Sequence, residues 1–523
     1  MQVLFASPSG ICLPLLTQVL GVAGVGILAG AAAWYVFRQP TNLPARRVLL
    51  GVVLLVALLL RLAMAAWDAF PNPWDEVYHM QVARQLQESP LEPRLYPAEV
   101  WHRAPLDSWT HSKWWFHKPP FSLWLMATAD ELFGGGLLAL RMAGVLLGTA
   151  TVGLIFLLGR QLSNWNAGFW AAWAAALAYF PLELAAGAAG MDVVDSTNLF
   201  LTTAIWVVGF RWLRRESPRE LMLLLLLAVL AGLTRWAVGL FPFGVLGLAV
   251  LLERKPGRWH IQLLWLGMAI AAGLGAIFLW QQYSISLAPA KALWEIEYNW
   301  RHFTEVTEGN GGGPFFYLRT FPVLYNTPLL FLFPVLLFLW WNYGHKRGKH
   351  RKAFVVGVVL LYVFFSLAET KLTHYVLPGL PLVVLFTGEA IARALNRLND
   401  LLPQRRSGGW ALRAVIFAGL LFTGLALLKP RAMLRSHCAK SSQAAAASYS
   451  AVDRWLGEHP HQRLVLHGLP RFKHLYPMLL APDRALGFDR ELLPEELRYY
   501  RSKGYRIFFW PDYQQKPVAK EGI

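Results

Sequence analysis

The sequence predicts an all-α bundle of about 11 to 13 transmembrane helices, followed by a small C-terminal α/β domain. Two features of composition predict the bundle. Of the 523 residues, 56% are hydrophobic and only 15% are charged, whereas about a quarter of an average soluble domain is charged. The mean hydropathy of the chain is +0.38. The C-terminal domain is predicted because residues 429–523 mix polar and apolar residues in shorter patterns.

The apolar runs define the candidate membrane spans. A helix of about 20 apolar residues crosses the roughly 30 Å hydrocarbon core of a bilayer. The candidate spans are 13–37, 48–67, 137–159, 167–184, 194–212, 220–234, 236–252, 262–283, 322–343, 353–368, 378–395 and 411–428. The pair between Glu220 and Leu252 is short for two full crossings and could form a tilted or re-entrant hairpin.

Basic segments between the spans predict the orientation. They are 46–47, 211–219, 254–258, 345–352 and 393–413. Cytoplasmic loops are enriched in Lys and Arg, so these segments are predicted to lie inside. The same distribution explains the net charge of +18 without a nucleic-acid partner.

This orientation places three long segments outside: 68–136, 284–321 and 429–523. The expected division is a membrane domain, 1–428, which includes the first two segments, and a soluble outer domain, 429–523. Within the outer domain, 463–467 and 505–510 are predicted as short strands and 494–502 as a helix between them.

An acidic pair, Asp75-Glu76, follows the span 48–67 almost directly. Carboxylates are costly near lipid, so a pair at the mouth of a span indicates a functional site. The alternative is that the two carboxylates stabilise the N-terminus of the helix predicted over 77–87.

Two further polar sets fall on the same predicted side. His117 and Lys118 precede Pro119-Pro120, a stiff extended segment that could present an ammonium group to a lipid phosphate. An interfacial lysine that only reaches towards water is the alternative. Asp192 and Asp195 share one face at the start of the span 194–212, where they could position an acceptor, hold a cation or cap the helix.

A fourth set lies between two late spans. In a helical turn Lys371, His374 and Tyr375 share a face and offer a cation and two hydrogen-bond donors, which suits an anionic group. Arg301 and His302, in the outer segment 284–321, could join them. The sequence contains no Walker loop and no Gly-x-Gly-x-x-Gly after a strand, so no nucleotide cofactor is expected.

In their order along the chain, these residues resemble the GT-C glycosyltransferases. The resemblance is to the bacterial branch of aminoarabinose lipid A transferases and to dolichyl-phosphate-mannose protein mannosyltransferases. The matching segments are Asp75-Glu76 with Ala83-Arg84, Lys118-Pro119-Pro120 with Leu132-Phe133-Gly134 and Arg141, Asp195 with Asn198-Leu199-Phe200, Gly232-Leu233-Thr234-Arg235, and 371–378 with Pro381. They span residues 48–395.

The resemblance implies a bundle with an outward cavity, a polyprenyl-phosphate sugar donor and inversion at the anomeric carbon. It implies that Asp75 is the general base, with Glu76 and Asp195 as further candidate catalytic residues. Lys118 and Lys371 would bind the donor phosphate, together with Arg301, His374 and Tyr375. A lipid, glycan or protein would be the acceptor, at the periplasmic face of a bacterial inner membrane.

Two positions depart from the family pattern. His117 stands where the aminoarabinose transferases have a Glu linked to metal binding, which leaves room for a divalent ion of unknown identity at His117 and Asp192. Tyr78-His79 replaces an Arg-Tyr pair and removes one expected cation.

Two other functions remain open on the sequence. A transporter or flippase of lipid-linked sugars would have pseudo-symmetric halves and midplane polar residues, whereas the polar sets here lie at one face. An O-antigen ligase or polymerase of another membrane fold would centre catalysis on a large outer loop late in the chain.

Overall fold

The computed structural model describes residues 15–38, 42–67, 70–100, 108–187, 192–325, 348–401, 413–415, 417–421 and 440–510. The chain is mainly helical, as predicted. Of the predicted spans 322–343 and 411–428, the structure describes only 322–325, 413–415 and 417–421, and the predicted boundary between 428 and 429 lies outside the described residues.

The membrane bundle is built from long apolar helices. Its helices are α1 Leu15–Arg38, α2 Leu43–Trp67, α5 Leu137–Leu162, α6 Trp165–Leu177, α7 Tyr179–Glu183, α8 Val193–Arg215, α9 Pro218–Arg235, α10 Phe241–Glu253, α11 Trp259–Leu287, α14 Gly348–Leu367 and α15 Leu380–Leu401. Helices α6 and α7 are bent by 52°. Within the described residues, 7 helical stretches are long and apolar enough to cross a membrane, or 8 if this bent pair is one span. The protein is therefore an integral membrane protein.

The stretch Pro218–Glu253 is the hairpin that its length predicts. Both of its ends lie at the C-terminal end of α8: Arg211 pairs with Glu220, and Lys255, just beyond the stretch, donates to the Leu213 carbonyl at 2.6 Å. Its middle reaches the opposite end of α8, where Arg235 pairs with Asp195. The chain therefore crosses the bundle and returns, through a 3₁₀ turn at Trp236–Leu240.

Small residues allow the central helices to approach closely. A Cβ atom on Gly159 of α5 would lie 2.7 Å from the Cα of Gly168 in α6, closer than real Cβ contacts. Gly388 of α15 packs against the backbone of Ala171 in α6. Close backbone approach at small residues is a common basis of helix packing in membranes. Helix α6 thereby forms the centre of the bundle, and Trp170 and Trp173 fill its core.

Short helices and a separate domain lie at one end of the bundle, called here the outer end. The outer helices are α3 Asp75–Glu88, α4 Phe121–Leu132, α12 Pro289–Thr304 and α13 Phe316–Leu324. The domain contains α16 Lys440–Glu458, β1 Leu464–His467, α17 Tyr476–Leu480, β2 Ala485–Gly487, α18 Pro494–Ser502 and β3 Arg506–Phe509.

The outer domain is a small α/β layer structure, which confirms the predicted class. Its three strands are parallel in the order β2-β1-β3, with Val465 of β1 opposite Leu486 of β2 and Ile507 of β3. The predicted helix at 494–502 and the strands near 463–467 and 505–510 are confirmed. The short strand β2 was not predicted, because three residues carry too little periodicity to be recognised.

The domain packs directly on the outer helices. Arg84 of α3 donates to the Leu479 carbonyl of the domain, and Nε2 of His111 lies 2.7 Å from Asp489. Buried side chains from both parts, including Tyr78 and Leu475, belong to one hydrophobic cluster. The acidic segment of α3 is thus enclosed between the bundle and the outer domain.

Candidate active site

Asp75 is the first residue of α3 and is half-buried. Burial raises the pKa of the Asp75 carboxyl group above its ordinary value of 3.8, and the positive charge of Lys118 opposes this rise. Asp75 also lies within electrostatic range of Arg235 and Tyr375. A carboxylate with a raised pKa is a stronger base than an ordinary Asp, which suits proton abstraction.

The Glu76 side chain, unlike that of Asp75, is directed at Arg141 of α5. Its carboxylate accepts two hydrogen bonds from Arg141 of α5, at 2.7 and 3.0 Å, and a third from the Asn72 backbone N–H at 2.7 Å. Both Glu76 and Arg141 are only 2% exposed. Gly187 packs against this carboxylate so closely that a Cβ atom there would overlap it. The oxygens of Glu76 are therefore used to join α3 to α5, which favours a structural role over the expected catalytic one.

The N-terminus of α8 holds the second pair of acids, each with a separate partner. Asp192 is the N-cap of α8: its Oδ1 accepts from the Val194 backbone N–H at 2.9 Å, and its Oδ2 pairs with Nδ1 of His79. Asp195, one turn later, pairs with Arg235 of α9. Capping therefore explains Asp192, whereas Asp195 holds a cation beside the site.

Lys118 lies where the stiff Pro119-Pro120 segment enters α4. It is half-buried and lines a cavity at the outer end of the bundle. Among the described residues, none forms a hydrogen bond or ion pair with its ammonium group. An ammonium group enclosed without a direct partner is energetically unfavourable and is suited to receive an anion.

The cavity has a volume of about 680 Å³ and two chemically different parts. Its polar part is lined by Lys118, Arg235, His302, His374 and Tyr375. Its apolar part is lined by residues of α10, α11, α12 and α14: Phe241, Leu274, Ile277, Ile296, Phe303, Leu361, Phe364 and Phe365. The cavity therefore combines cations with an apolar channel formed largely by the spans.

Of the late polar set, His374 and Tyr375 reach the cavity. They lie in the 3₁₀ turn Thr373–Gly379 before α15. The guanidinium carbon of Arg235 lies 5.9 Å from the centroid of the Tyr375 ring, so the two side chains form one wall.

Lys371 does not line the cavity, contrary to expectation. Its ammonium group donates to the Ala368 carbonyl, and its backbone N–H donates to the Asn310 carbonyl at 2.7 Å. Its aliphatic stem lies beside Gly312, so this lysine joins the glycine-rich segment to the end of α14.

Arg301 also lies away from the cavity, contrary to expectation. It is exposed on α12 and forms an ion pair with Glu297 at 2.5 Å. The next residue, His302, faces the cavity instead. Burial lowers the pKa of His302, and its Nδ1 lies 3.0 Å from the Tyr298 carbonyl. A neutral His302 would donate from Nδ1 and leave Nε2 as an acceptor, which suits a hydroxyl group better than a phosphate.

His117 and Asp192 do not fit the expected metal site. The His117 ring is stacked on Trp109 at 4.8 Å, and its Nδ1 lies 3.3 Å from Glu295. Both Asp192 oxygens already have partners. Within the described part of the chain, no three side chains of His, Cys, Asp or Glu converge so that they could hold a metal ion.

Arg235 is the site residue that the sequence did not identify as functional. It ends the apolar helix α9, and a cation at the end of an apolar span is usually interpreted as an interfacial anchor. The available signal was the acidic Asp195 on the neighbouring span, but their pairing requires the hairpin turn after α9.

Comparison with known proteins identifies chains that share this fold. The family model described as dolichyl-phosphate-mannose-protein mannosyltransferase matches residues 117–280. ArnT from Cupriavidus metallidurans, solved bound to undecaprenyl phosphate, superimposes with a TM-score of 0.60 at 18% identity, over 86% of this chain and 90% of that one. The chain has the GT-C fold and resembles the aminoarabinose transferases.

A more distant GT-C structure extends the comparison. The oligosaccharyltransferase AglB from Archaeoglobus fulgidus, solved with an inhibitory peptide and a dolichol-phosphate, has a TM-score of 0.54 at 12% identity. The match covers 84% of this chain and 64% of AglB. At these identities, both structures support the fold alone.

Curated relatives give the same resemblance over part of the chain. An undecaprenyl phosphate-α-4-amino-4-deoxy-L-arabinose arabinosyl transferase of Pseudomonas fluorescens is 28% identical over 54% of this chain. One of Pseudomonas aeruginosa is 27% identical over 60% of it. The chain spans about half the length of these relatives, 49% and 54% respectively.

Proposed function

We propose that the protein is a glycosyltransferase that moves a sugar from a polyprenyl-phosphate donor to an acceptor at the outer face of the membrane. The observation that carries the proposal is Lys118, an ammonium group without a direct partner among the described residues, beside an apolar channel and within range of Asp75. A lipid phosphate provides both an anion for Lys118 and a chain for the channel.

The donor chain would occupy the apolar part of the cavity. Side chains such as Leu274 and Ile277 of α11, and Leu361 and Phe365 of α14, come from membrane spans, so they line a path that an isoprenoid can enter from the bilayer. Burying such a chain is favourable by about 25 cal/mol per Å² of apolar surface. The sugar would then lie at the polar end, with His302 as a hydroxyl partner.

The cations would stabilise the leaving phosphate. The donor is a phosphodiester with one negative charge, and cleavage of the bond between the sugar C1 and the phosphate oxygen leaves a monoester with a second charge. Lys118 and Arg235 lie where this charge develops in the proposed pose. Cations that interact more strongly with the transition state than with the bound substrate lower the activation barrier. Lys118 and Arg235 would therefore affect catalysis as well as donor binding.

Asp75 would activate the acceptor. It takes the proton from an acceptor hydroxyl while the acceptor oxygen bonds to C1 and the C1–phosphate bond breaks. The products are the glycosylated acceptor, polyprenyl monophosphate and protonated Asp75. A single displacement of this kind inverts the configuration at C1. General-base catalysis contributes about 10²- to 10⁴-fold.

The experiment is direct transfer with purified protein. Labelled undecaprenyl-phosphate sugars, including 4-amino-4-deoxy-L-arabinose because of the curated relatives, are incubated with lipid, glycan and peptide acceptors. We expect a labelled acceptor and free polyprenyl phosphate in equal amounts, and about 10²- to 10⁴-fold slower formation of both products with Asp75→Asn.

Protein-dependent movement of intact donor between leaflets, without any new glycosidic bond, would instead indicate a flippase. The proposed side is the periplasmic face of a bacterial inner membrane. Accessibility of an introduced cysteine in the outer domain to a membrane-impermeant thiol reagent in whole cells tests that orientation.

A further inference from the structure

The residue before Asp75 has an unusual backbone. Trp74 adopts φ 92° and ψ −137°, a region that L-residues with bulky side chains rarely adopt. It is the N-cap of α3, and its side chain forms no capping hydrogen bond. Strain of this kind persists only where the surrounding structure enforces it, and it is concentrated at functional sites.

The outer domain supplies the group that holds Trp74. The Phe472 ring stacks on the Trp74 ring, with centroids 4.5 Å apart and an interplanar angle of 29°. Two further rings pack edge-on against this pair. The Trp109 centroid lies 6.3 Å from that of Trp74, and the Tyr78 centroid lies 6.0 Å from that of Phe472. We name Trp74, Phe472, Trp109 and Tyr78 the aromatic clamp. Phe472 itself has a φ of 66°, so both stacked residues have left-handed backbones.

The residue after Asp75 is held just as firmly. Glu76 is bound by Arg141 of α5 at 2.7 Å and 3.0 Å. Asp75 therefore lies between two anchors, one on the outer domain and one on the bundle. The sharp turn of the backbone at Trp74 also determines where α3 begins, and hence the direction of the Asp75 carboxylate.

We propose that Phe472 is a positioning residue for Asp75: by stacking on Trp74, it keeps the left-handed backbone that aims the Asp75 carboxylate at the acceptor. The outer domain thus contributes to catalysis without touching the reacting atoms. The role assigned to Asp75 rests on the proposed function, whereas the clamp itself does not.

The first test removes the ring. Phe472→Ala should lower kcat about tenfold or more and leave the donor KM within twofold, because Lys118 and the apolar channel do not contact Phe472. Phe472→Tyr should restore kcat, because a tyrosine ring can stack in the same way. The matched control is Phe508→Ala, which removes a ring from the same domain where it packs on Trp455, away from Trp74.

The second test separates the backbone from the ring. Trp74→Gly loses the ring but adopts a positive φ without strain, whereas Trp74→Ala loses the ring and keeps the penalty. If backbone direction matters, Trp74→Gly should retain several-fold more kcat than Trp74→Ala. If the Trp74 ring instead contacts the acceptor, the two variants lose activity equally, and this outcome overturns the proposal.

A third measurement is independent of sugar transfer. Hydrogen–deuterium exchange should show faster exchange of the first two turns of α3 in Phe472→Ala but not in Phe508→Ala. The same exchange in both variants overturns the proposal even if no transfer is ever detected. If the wild-type protein transfers no sugar but the expected exchange difference is seen, the proposed function is refuted and the structural role of the aromatic clamp is still supported.

Discussion

Asp75 and Glu76 are neighbours in the sequence, but the regions that receive their carboxylates are built in opposite ways. Around Glu76, Arg141 and the Asn72 backbone satisfy both oxygens, and Gly187 closes the space. Around Asp75, the charge with the largest influence is the ammonium group of Lys118, which lines an open cavity. The region around Glu76 has complete pairing and no free space, whereas the region around Asp75 has a cation that lines a cavity.

The difference shows how to separate structural from functional charges in a membrane protein. The buried Glu76–Arg141 pair, which lines no part of the cavity, stabilises the packing of α3 on α5 and has no capacity left for a ligand. A charge beside a cavity that lacks a direct partner gains one when the ligand arrives. The same distinction separates Lys118 from Lys371, which is occupied by the Ala368 carbonyl.

The largest expected effect comes from breaking the satisfied region. Glu76→Gln leaves the buried Arg141 guanidinium without a counter-charge, which costs about 3–5 kcal/mol of stability. We expect a clearly lower thermal unfolding midpoint in detergent and a lower yield of folded protein. An unchanged midpoint would show that the pair does not hold α3 to α5. Asp75→Asn serves as the matched control and should not lower the midpoint.

Removing the unpaired cation should affect donor binding instead of folding. Lys118→Ala loses a charge-assisted hydrogen bond to phosphate, worth about 1.5–3 kcal/mol. We expect the Kd for polyprenyl phosphate to rise about 10- to 150-fold, with a normal unfolding midpoint. Isothermal titration with the lipid in micelles measures the Kd, and a thermal unfolding scan of the same preparation measures the midpoint. A binding constant within twofold of wild type would remove Lys118 from the donor site.

The pH dependence of transfer tests the enclosed state of Asp75. As a base, Asp75 acts only when deprotonated, and burial raises its pKa above the ordinary 3.8. Activity is therefore present above the raised pKa and is lost as the pH falls through it. We expect the acid limb of the pH profile of kcat/KM to lie at a higher pH than an ordinary Asp would give. The residual activity of Asp75→Asn should not show this acid limb. An acid limb near pH 4 would mean that the carboxylate is well hydrated.

The smallest expected effect is at Arg301. Because this side chain is exposed and paired with Glu297, Arg301→Ala should change neither donor Kd nor kcat by more than twofold. His302→Ala, one residue further along α12, should lower activity more than Arg301→Ala. The reverse order would show that α12 rotates when the donor binds.

The fold was largely predictable from the sequence because its determinants are local. Apolar runs, basic loops and the strand patterns near 464–467 and 506–509 report on single elements. For the short span pair around Trp236, length alone allowed a tilted or re-entrant hairpin. The spans 322–343 and 411–428 stay predictions.

The position of the candidate site along the chain was predictable, but the directions in which its side chains point were less so. Lys118, Asp75, Asp195, His374 and Tyr375 were identified from their place at the mouths of spans. The different directions of the Asp75 and Glu76 carboxylates depend on the backbone of Trp74, whose ring stacks on Phe472, some four hundred residues away in sequence. Arg301 and His302 differ only in which side of α12 they occupy. Tertiary contacts determine the directions of these side chains, and local sequence patterns do not report such contacts.

The most direct test measures donor binding and sugar transfer together in Asp75→Asn. Asparagine keeps the size of the side chain and removes its ability to take a proton. The proposed role of Asp75 predicts a donor Kd close to that of the wild-type protein and a loss of transfer of about 10²- to 10⁴-fold. Transfer at the wild-type rate by Asp75→Asn, with donor bound normally, would contradict it.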